Sequence, residues 1–183
     1  ASTDNLFHNR SVIITPQLNN DPRAVSLINE LWRQLGSFVM GMDFKQHDTV
    51  LAATSHLPHF LAYGTVDVLA NQEQSKDIFR YAAGGFADFS RLASSNAKMW
   101  ADIFTSNSKA TLNILDAYID NLQRMKKLIR QKDHDQLMAV FVEAKQTRDS
   151  FIKYHLKNES LLPIESENTL LRVEPGARII GSL

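Results

Sequence analysis

The sequence predicts a mainly α fold preceded by one β-α-β unit. Three observations carry that expectation. Ser11-Val12-Ile13-Ile14-Thr15 is a short β-branched run closed by Pro16, the pattern of a buried strand. From Asp43 onward the chain turns helical, with Asp43, Asn96 and Asp133 standing at cap positions. From Trp100 to Ile129, apolar residues recur at a spacing of three to four.

The elements follow in order. Asp21-Pro22 opens a helix, with Asp21 as N-cap and Pro22 at the first helical position. Val25, Leu27, Ile28, Leu31, Trp32 and Leu35 form its apolar face, and Gly36 supplies the stop. Residues 38–42 read as a second strand. A lone two-strand unit cannot build its own sheet core, so this part is expected to be the tail of a larger α/β sheet. Asp43 and Gln46 form a capping box for the next helix, which Pro58 must kink or restart. A stretch from His59 to Leu69 follows. Residues 72–81 are weakly helical, and Gly84-Gly85 is expected to break the pattern. Asn96 then caps one long helix reaching Ile129, about 45 Å at 1.5 Å per residue. Asp133 caps a last helix with Leu137, Met138, Phe141, Ala144, Phe151 and Ile152 on one face. Long antiparallel helices with wide apolar stripes point to a bundle completed by a second subunit. The expected domains are residues 1–42, 43–157 and a polar linker with a new beginning over 158–183.

Composition narrows the function classes. Lys+Arg and Asp+Glu balance at 20 each, so no basic field favours nucleic acid. No apolar run approaches the roughly 20 residues needed to span a bilayer. The start of the chain lacks a basic-plus-apolar signal segment, and a cytoplasmic compartment is expected. With no cysteine there is no thiolate nucleophile and no thiolate zinc site.

Two segments carry more polar and turn-forming chemistry than a helical core needs. One is Ser55-His56-Leu57-Pro58-His59, where two imidazoles three apart share a helix face. A metal reading needs a third ligand, and no His-Glu-x-x-His pattern is present. The other is Gly84-Gly85-Phe86-Ala87-Asp88-Phe89-Ser90-Arg91, followed by Trp100. Arg91 offers a planar fork suited to a carboxylate. Taken singly, each residue has an ordinary structural reading: a helix-surface histidine pair, a plain Gly-Gly turn, a surface Asp-Arg pair worth under about 1 kcal/mol, a core tryptophan.

Taken as an ordered set they resemble one family. The Val12-Ile13-Ile14-Thr15-Pro16 strand, the Leu31-Trp32 helix, His47-Asp48, the Ser55–His59 segment, the Gly84–Arg91 segment and Met99-Trp100-Ala101-Asp102-Ile103-Phe104 are similar to the C-terminal part of prephenate dehydrogenase, over roughly residues 1–155. The resemblance implies a helical dimerisation domain like the C-terminal part of 6-phosphogluconate dehydrogenase, preceded by a β-α-β remnant of a dinucleotide-binding domain. It implies NAD(P)-dependent oxidative decarboxylation of prephenate to 4-hydroxyphenylpyruvate in tyrosine biosynthesis, with arogenate as the related substrate. On that analogy Arg91 binds a substrate carboxylate and His59 lines the substrate pocket, with Gly85 beside it. Asp88 and Trp100 shape the pocket, and Ser55 and His56 lie nearer the nicotinamide. No metal is implied.

The family's Gly-x-Gly-x-x-Gly turn and its His-Pro-Ile-Ala-Gly segment with the catalytic histidine do not occur in these 183 residues. The expectation is therefore a fragment that lacks the catalytic histidine, binds NAD or NADP mainly through a missing domain, forms a homodimer and cannot turn over alone. The stretch Val173-Glu174-Pro175-Gly176-Ala177-Arg178-Ile179-Ile180-Gly181 resembles the opening of 5-enolpyruvylshikimate-3-phosphate synthase, which implies a bifunctional fusion starting near residue 170. The rival readings are a non-catalytic helical dimerisation or aromatic-acid-binding regulatory module, and a histidine-based metalloprotein.

Overall fold

The computed structural model describes residues 5–159, with side chains to residue 154. The polar tail from residue 160, with the synthase-like stretch, lies outside the described residues. These fall into two compact units, one of residues 5–47 with 150–159 and one of residues 48–149.

The first unit holds the expected β-α-β element. Strand β1 (Ser11–Ile14) and strand β2 (Phe38–Gly41) pair in parallel, Ser11 opposite Phe38 and Ile14 opposite Gly41. Helix α1 (Pro22–Gln34) makes the crossover that a parallel pair requires. Asp21 caps it, its carboxylate accepting from the Arg23 N–H at 2.8 Å. Trp32 anchors the helix edge-on against Phe7, with ring centroids 5.0 Å apart. The rest of the apolar face of α1 finds less cover than the sequence suggests. Leu27 is 69% exposed, and Ile28, Leu31 and Leu35 are exposed too. Two strands present too narrow a surface to bury a whole helix face.

The turn from α1 to β2 depends on Gly36. Its φ is +82°, a conformation that side chains oppose. Its carbonyl accepts from the Asn9 N–H at 2.8 Å, and a Cβ there would lie 2.4 Å from His8 Nδ1.

The rest of the described chain is helical. Helix α2 (Phe44–Leu51) is capped by Asp43, whose carboxylate accepts from the Lys45 and Gln46 N–H groups at 2.9 and 3.2 Å. It runs into a π turn (Ala52–His56) and then helix α3 (Leu57–Ala70). Short helices α4 (Ser75–Arg80) and α5 (Gly84–Ser90) follow, then a 3-10 turn (Arg91–Ser94). Helices α6 (Ala97–Ser106), α7 (Ser108–Gln131) and α8 (His134–Glu159) complete the described part.

At Pro58 the expected restart takes the form of a π turn between α2 and α3: Leu51, His56 and Leu57 keep helical dihedrals, and the Leu57 N–H reaches the Ala52 carbonyl five residues back. A proline ring collides with the carbonyl four residues before it, and one extra residue in the turn relieves that collision. Gly84-Gly85 opens α5 rather than interrupting a helix. The first-turn N–H groups of a helix have no intrahelical partner, so glycine costs little there. The single long helix expected after Asn96 is two helices, parted at Asn107. Asn96 does cap the first of them, accepting from the Met99 N–H at 2.9 Å.

Helix α7 alone spans about 36 Å. It ends at Lys132, which has φ +55°, with the Asp133 N–H bonded to the Leu128 carbonyl and the Lys132 N–H to that of Ile129. That is a Schellman ending with lysine at the place glycine usually takes.

Gly36→Ala should lower stability by roughly 1–3 kcal/mol, the scale of one strained backbone residue. Urea unfolding monitored by circular dichroism would check this, and an unchanged midpoint would refute the role given to the turn.

Candidate functional site: an imidazole–indole stack

The second unit brings three of the singled-out residues together. His59 stacks on Trp100 with ring centroids 3.7 Å apart and planes 22° from parallel. His56 meets the same indole edge-on at 6.1 Å. Phe104 closes the cluster, 5.5 Å from Trp100 and 5.4 Å from Phe60. The π turn and α3 carry the histidines, and α6 carries Trp100 and, one turn later, Phe104.

The imidazole of His59 is oriented by its own helix. Its Nδ1 lies 2.9 Å from the Ser55 carbonyl oxygen. A carbonyl can only accept, so Nδ1 carries the hydrogen and Nε2 is the ring's other polar atom. The half-buried His59 thus presents Nε2 from a ring fixed on one side by a hydrogen bond and on one face by an indole. His56 is buried, 7% exposed. Its Nδ1 lies 3.4 Å from both Thr111 Oγ1 and Asn107 Nδ2.

Trp100 is 6% exposed, and its Nε1 has no hydrogen-bond partner among the described residues. Burying an indole of about 150–250 Å² contributes roughly 4–6 kcal/mol. Leaving one N–H unpaired costs about 1–3 kcal/mol. Burial therefore decides where Trp100 sits.

The remaining predicted residues lie on neighbouring pieces. Ser55 is half-buried, and its carbonyl is the one that holds His59. Gly85 and Asp88 stand exposed on α5, and Arg91 stands exposed at the start of the 3-10 turn. Both pieces pack on α3. Tyr63 of α3 donates to the Ser95 carbonyl at 2.7 Å, tying the end of that turn to the helix bearing His59. No ion pair joins Asp88 to Arg91 among the described residues. A Cβ on Gly85 would meet nothing within 4 Å, so protein packing does not demand glycine there. The described residues contain no group of three or more metal-ligating side chains. The displaced carboxylate is elsewhere: a hydrogen bond from Lys145 holds solvent-exposed Asp149 on α8 below the usual range.

Sequence reasoning missed Asn107, Thr111 and Phe104 as parts of this cluster. A signal existed for Asn107: Ser106-Asn107-Ser108 groups three residues whose side chains compete with helical hydrogen bonding.

The β-α-β unit does not fit the pyrophosphate of a dinucleotide. The β1–α1 connection, residues 15–21, holds no glycine and ends on the Asp21 carboxylate at the helix N-terminus. Asp43 occupies the same place on α2. Phosphate seats instead expose backbone N–H groups to the anion.

Geometry defines the second unit as a helical domain that presents one fixed imidazole against a buried indole, with an exposed arginine on an adjoining turn. Residues 43–143 match the family described as the dimerization domain of prephenate dehydrogenase. The chain belongs to that family. It is 36% identical over 145 residues to the cyclohexadienyl dehydrogenase of Zymomonas mobilis subsp. mobilis, covering 78% of this chain and 50% of that protein. It is 33% identical over 150 residues to the prephenate dehydrogenase of Bacillus subtilis, covering 81% and 40%. The crystal structure of the A. aeolicus prephenate dehydrogenase, in complex with hydroxyphenyl propionate and NAD+, superposes with a TM-score of 0.75 at 33% identity, covering 81% of this chain and 52% of that one. The chain spans about half the length of these relatives or less.

Tyr63→Phe deletes one hydroxyl and its bond to Ser95. It should cost about 0.5–1.5 kcal/mol in thermal or urea unfolding. A variant as stable as the parent would show that the 3-10 turn does not depend on this tether.

Proposed function

We propose that this chain supplies the substrate-binding and dimer-forming part of a prephenate (cyclohexadienyl) dehydrogenase. The complete enzyme oxidatively decarboxylates prephenate to 4-hydroxyphenylpyruvate, with NAD+ or NADP+ as the hydride acceptor. The observation that carries the reading is the fixed His59–Trp100 stack, within a domain matched to that family. Prephenate has a carboxylate and a hydroxyl on a six-membered ring and a second carboxylate on its keto-acid side chain. Arg91 offers a bidentate fork for a carboxylate. His59 offers Nε2 to an oxygen of the substrate, and the indole behind it keeps the imidazole from turning. Asp88, Gly85 and Trp100 shape the pocket, and Ser55 stands on the nicotinamide side with His56 buried beside it. Arogenate differs by an amine for a keto group and suits the same fork.

Because the described β-α-β unit lacks a phosphate seat, no step of hydride transfer is assigned to residues of this chain. Its part is to bind and orient the substrate and to shield it from water. The exposed apolar residues of α7 and α8, among them Leu112, Ile119, Leu122, Met138 and Phe141, supply the surface for a second copy. The working compartment in this reading is the cytoplasm. In the same reading residues 173–181 open a fused 5-enolpyruvylshikimate-3-phosphate synthase, on the strength of that short likeness.

The test is prephenate-dependent NAD(P)H formation by the product of the full parent reading frame, beside the 183-residue chain and the parent carrying Arg91→Ala. Activity in the parent, none in the chain alone, and a prephenate KM raised roughly tenfold or more in Arg91→Ala is the expected pattern. No activity in the parent with either cofactor sinks the reading, and an unchanged KM sinks the role of Arg91.

Sedimentation at micromolar concentration should show the 183-residue chain as a dimer. A clean monomer would overturn the second-copy reading of α7 and α8.

A further inference from the structure

We propose that Asn107 is a positioning residue for the substrate half-site, acting with Thr111 through His56 and Trp100 on His59. The inference rests on the function proposed above for its kinetic readout, and on geometry alone for the rest.

Asn107 is the one residue between α6 and α7, closing the first and opening the second. Its backbone N–H donates to the Ile103 carbonyl at 2.9 Å, and its carbonyl accepts from the Thr111 N–H at 3.1 Å. Its side chain does something no helix junction requires. Nδ2 donates to the Asp48 carbonyl, 59 residues away in sequence, at 2.8 Å. That oxygen can only accept, so it settles which end of the amide points inward. The same Nδ2 lies 3.4 Å from His56 Nδ1, and Thr111 Oγ1 reaches that nitrogen at the same distance. Both contacts are long, so neither alone is strong. Together they bracket one ring nitrogen in a buried place, where Thr111 is 6% exposed.

The chain of contact then runs outward. His56 stands edge-on to Trp100 and Phe104, at 6.1 and 6.3 Å. Among the described residues Trp100 Nε1 has no hydrogen-bond partner, so ring packing fixes its plane. His59 takes its tilt from Trp100 and from the Ser55 carbonyl. Loosening the hold on the His56 ring loosens the indole it packs against, and the indole is one constraint on the imidazole assigned to the substrate. The effect belongs in substrate affinity, because His59 and Trp100 are assigned to binding.

Two readouts test this, kinetics on the full parent enzyme and quenching on the 183-residue chain. In kinetics, Asn107→Ala and the nearly isosteric Thr111→Val should each raise the prephenate KM roughly tenfold and leave kcat within about twofold. Thr111→Ser, which restores the hydroxyl, should bring KM back toward the parent value. In spectroscopy, Trp32→Phe leaves Trp100 as the one tryptophan of these 183 residues. In the 183-residue chain so marked, acrylamide should quench Trp100 several-fold more strongly once Asn107→Ala or Thr111→Val is added. Folded variants with unchanged KM and unchanged quenching overturn the proposal. So does a loss in Thr111→Ser equal to that in Thr111→Val. If Asn107→Ala fails to fold, the Thr111 pair decides alone. If the parent enzyme does not oxidise prephenate, the functional reading fails, and the quenching result still judges the role of Asn107.

Discussion

The widened turn at Ala52–His56 is the constraint on which the second unit depends. Pro58 cannot donate a hydrogen bond, and its ring excludes the carbonyl four residues before it. The helix accommodates this with one extra residue and continues to Ala70. An inserted residue turns every later side chain by about 100° around the axis relative to an ideal helix. The two buried residues of that turn, Ala52 and His56, face the helical interior. From the next turn His59 lies on the indole of Trp100. The same device thus puts one imidazole inside the unit and the other at its border.

That interior is small. Among the described residues Ala52, Ala62 and Trp100 are the buried apolar ones, while α7 and α8 leave large side chains such as Ile129 and Phe151 open. A helical domain normally stabilises itself by burying an apolar stripe against a neighbour. Here the indole is the largest such burial, and it outweighs its own unpaired N–H. The long helices α7 and α8 leave a run of large apolar side chains outside. In the proposed dimer a second copy covers that surface, so assembly and the folding of this domain become coupled.

Much of this was legible in the sequence where the signal is local. The β-branched run, the Asp21-Pro22 start and the Gly36 stop each act within a few residues, and the β-α-β unit has the expected elements. The caps Asn96 and Asp133 are local in the same way. Asn107 was not legible as a break, because the apolar spacing runs on through Ile103, Phe104, Ile114 and Leu115 with little change of phase. What stabilises the junction is a bond to Asp48, which no local window contains. Gly84-Gly85 misleads for the opposite reason: a breaker rule has no knowledge of where the first turn of a helix falls. Both histidines and Trp100 stood out by residue type, yet the stack joins positions 41 apart that only tertiary packing brings together.

The side chains fixed around the stack share one kind of partner. His59 is held by the carbonyl of Ser55, Tyr63 donates to that of Ser95, and Asn107 to that of Asp48. Ser55 lies inside the π turn, Ser95 ends the 3-10 turn, and Asp48 stands four residues before the π turn begins. A regular helix commits its interior carbonyls to the N–H groups four residues on. Irregular turns loosen that commitment at Ser55 and Ser95, while Asn107 adds a bond to the carbonyl of Asp48 within α2. Proline at 58, the 3-10 turn after Arg91 and the one-residue junction at Asn107 are therefore more than interruptions between helices. They bring acceptors and donors to one small region, and backbone oxygens are better anchors than mobile side chains. An imidazole oriented by the main chain is held in one direction, which is what the proposed recognition of an anionic ring compound requires.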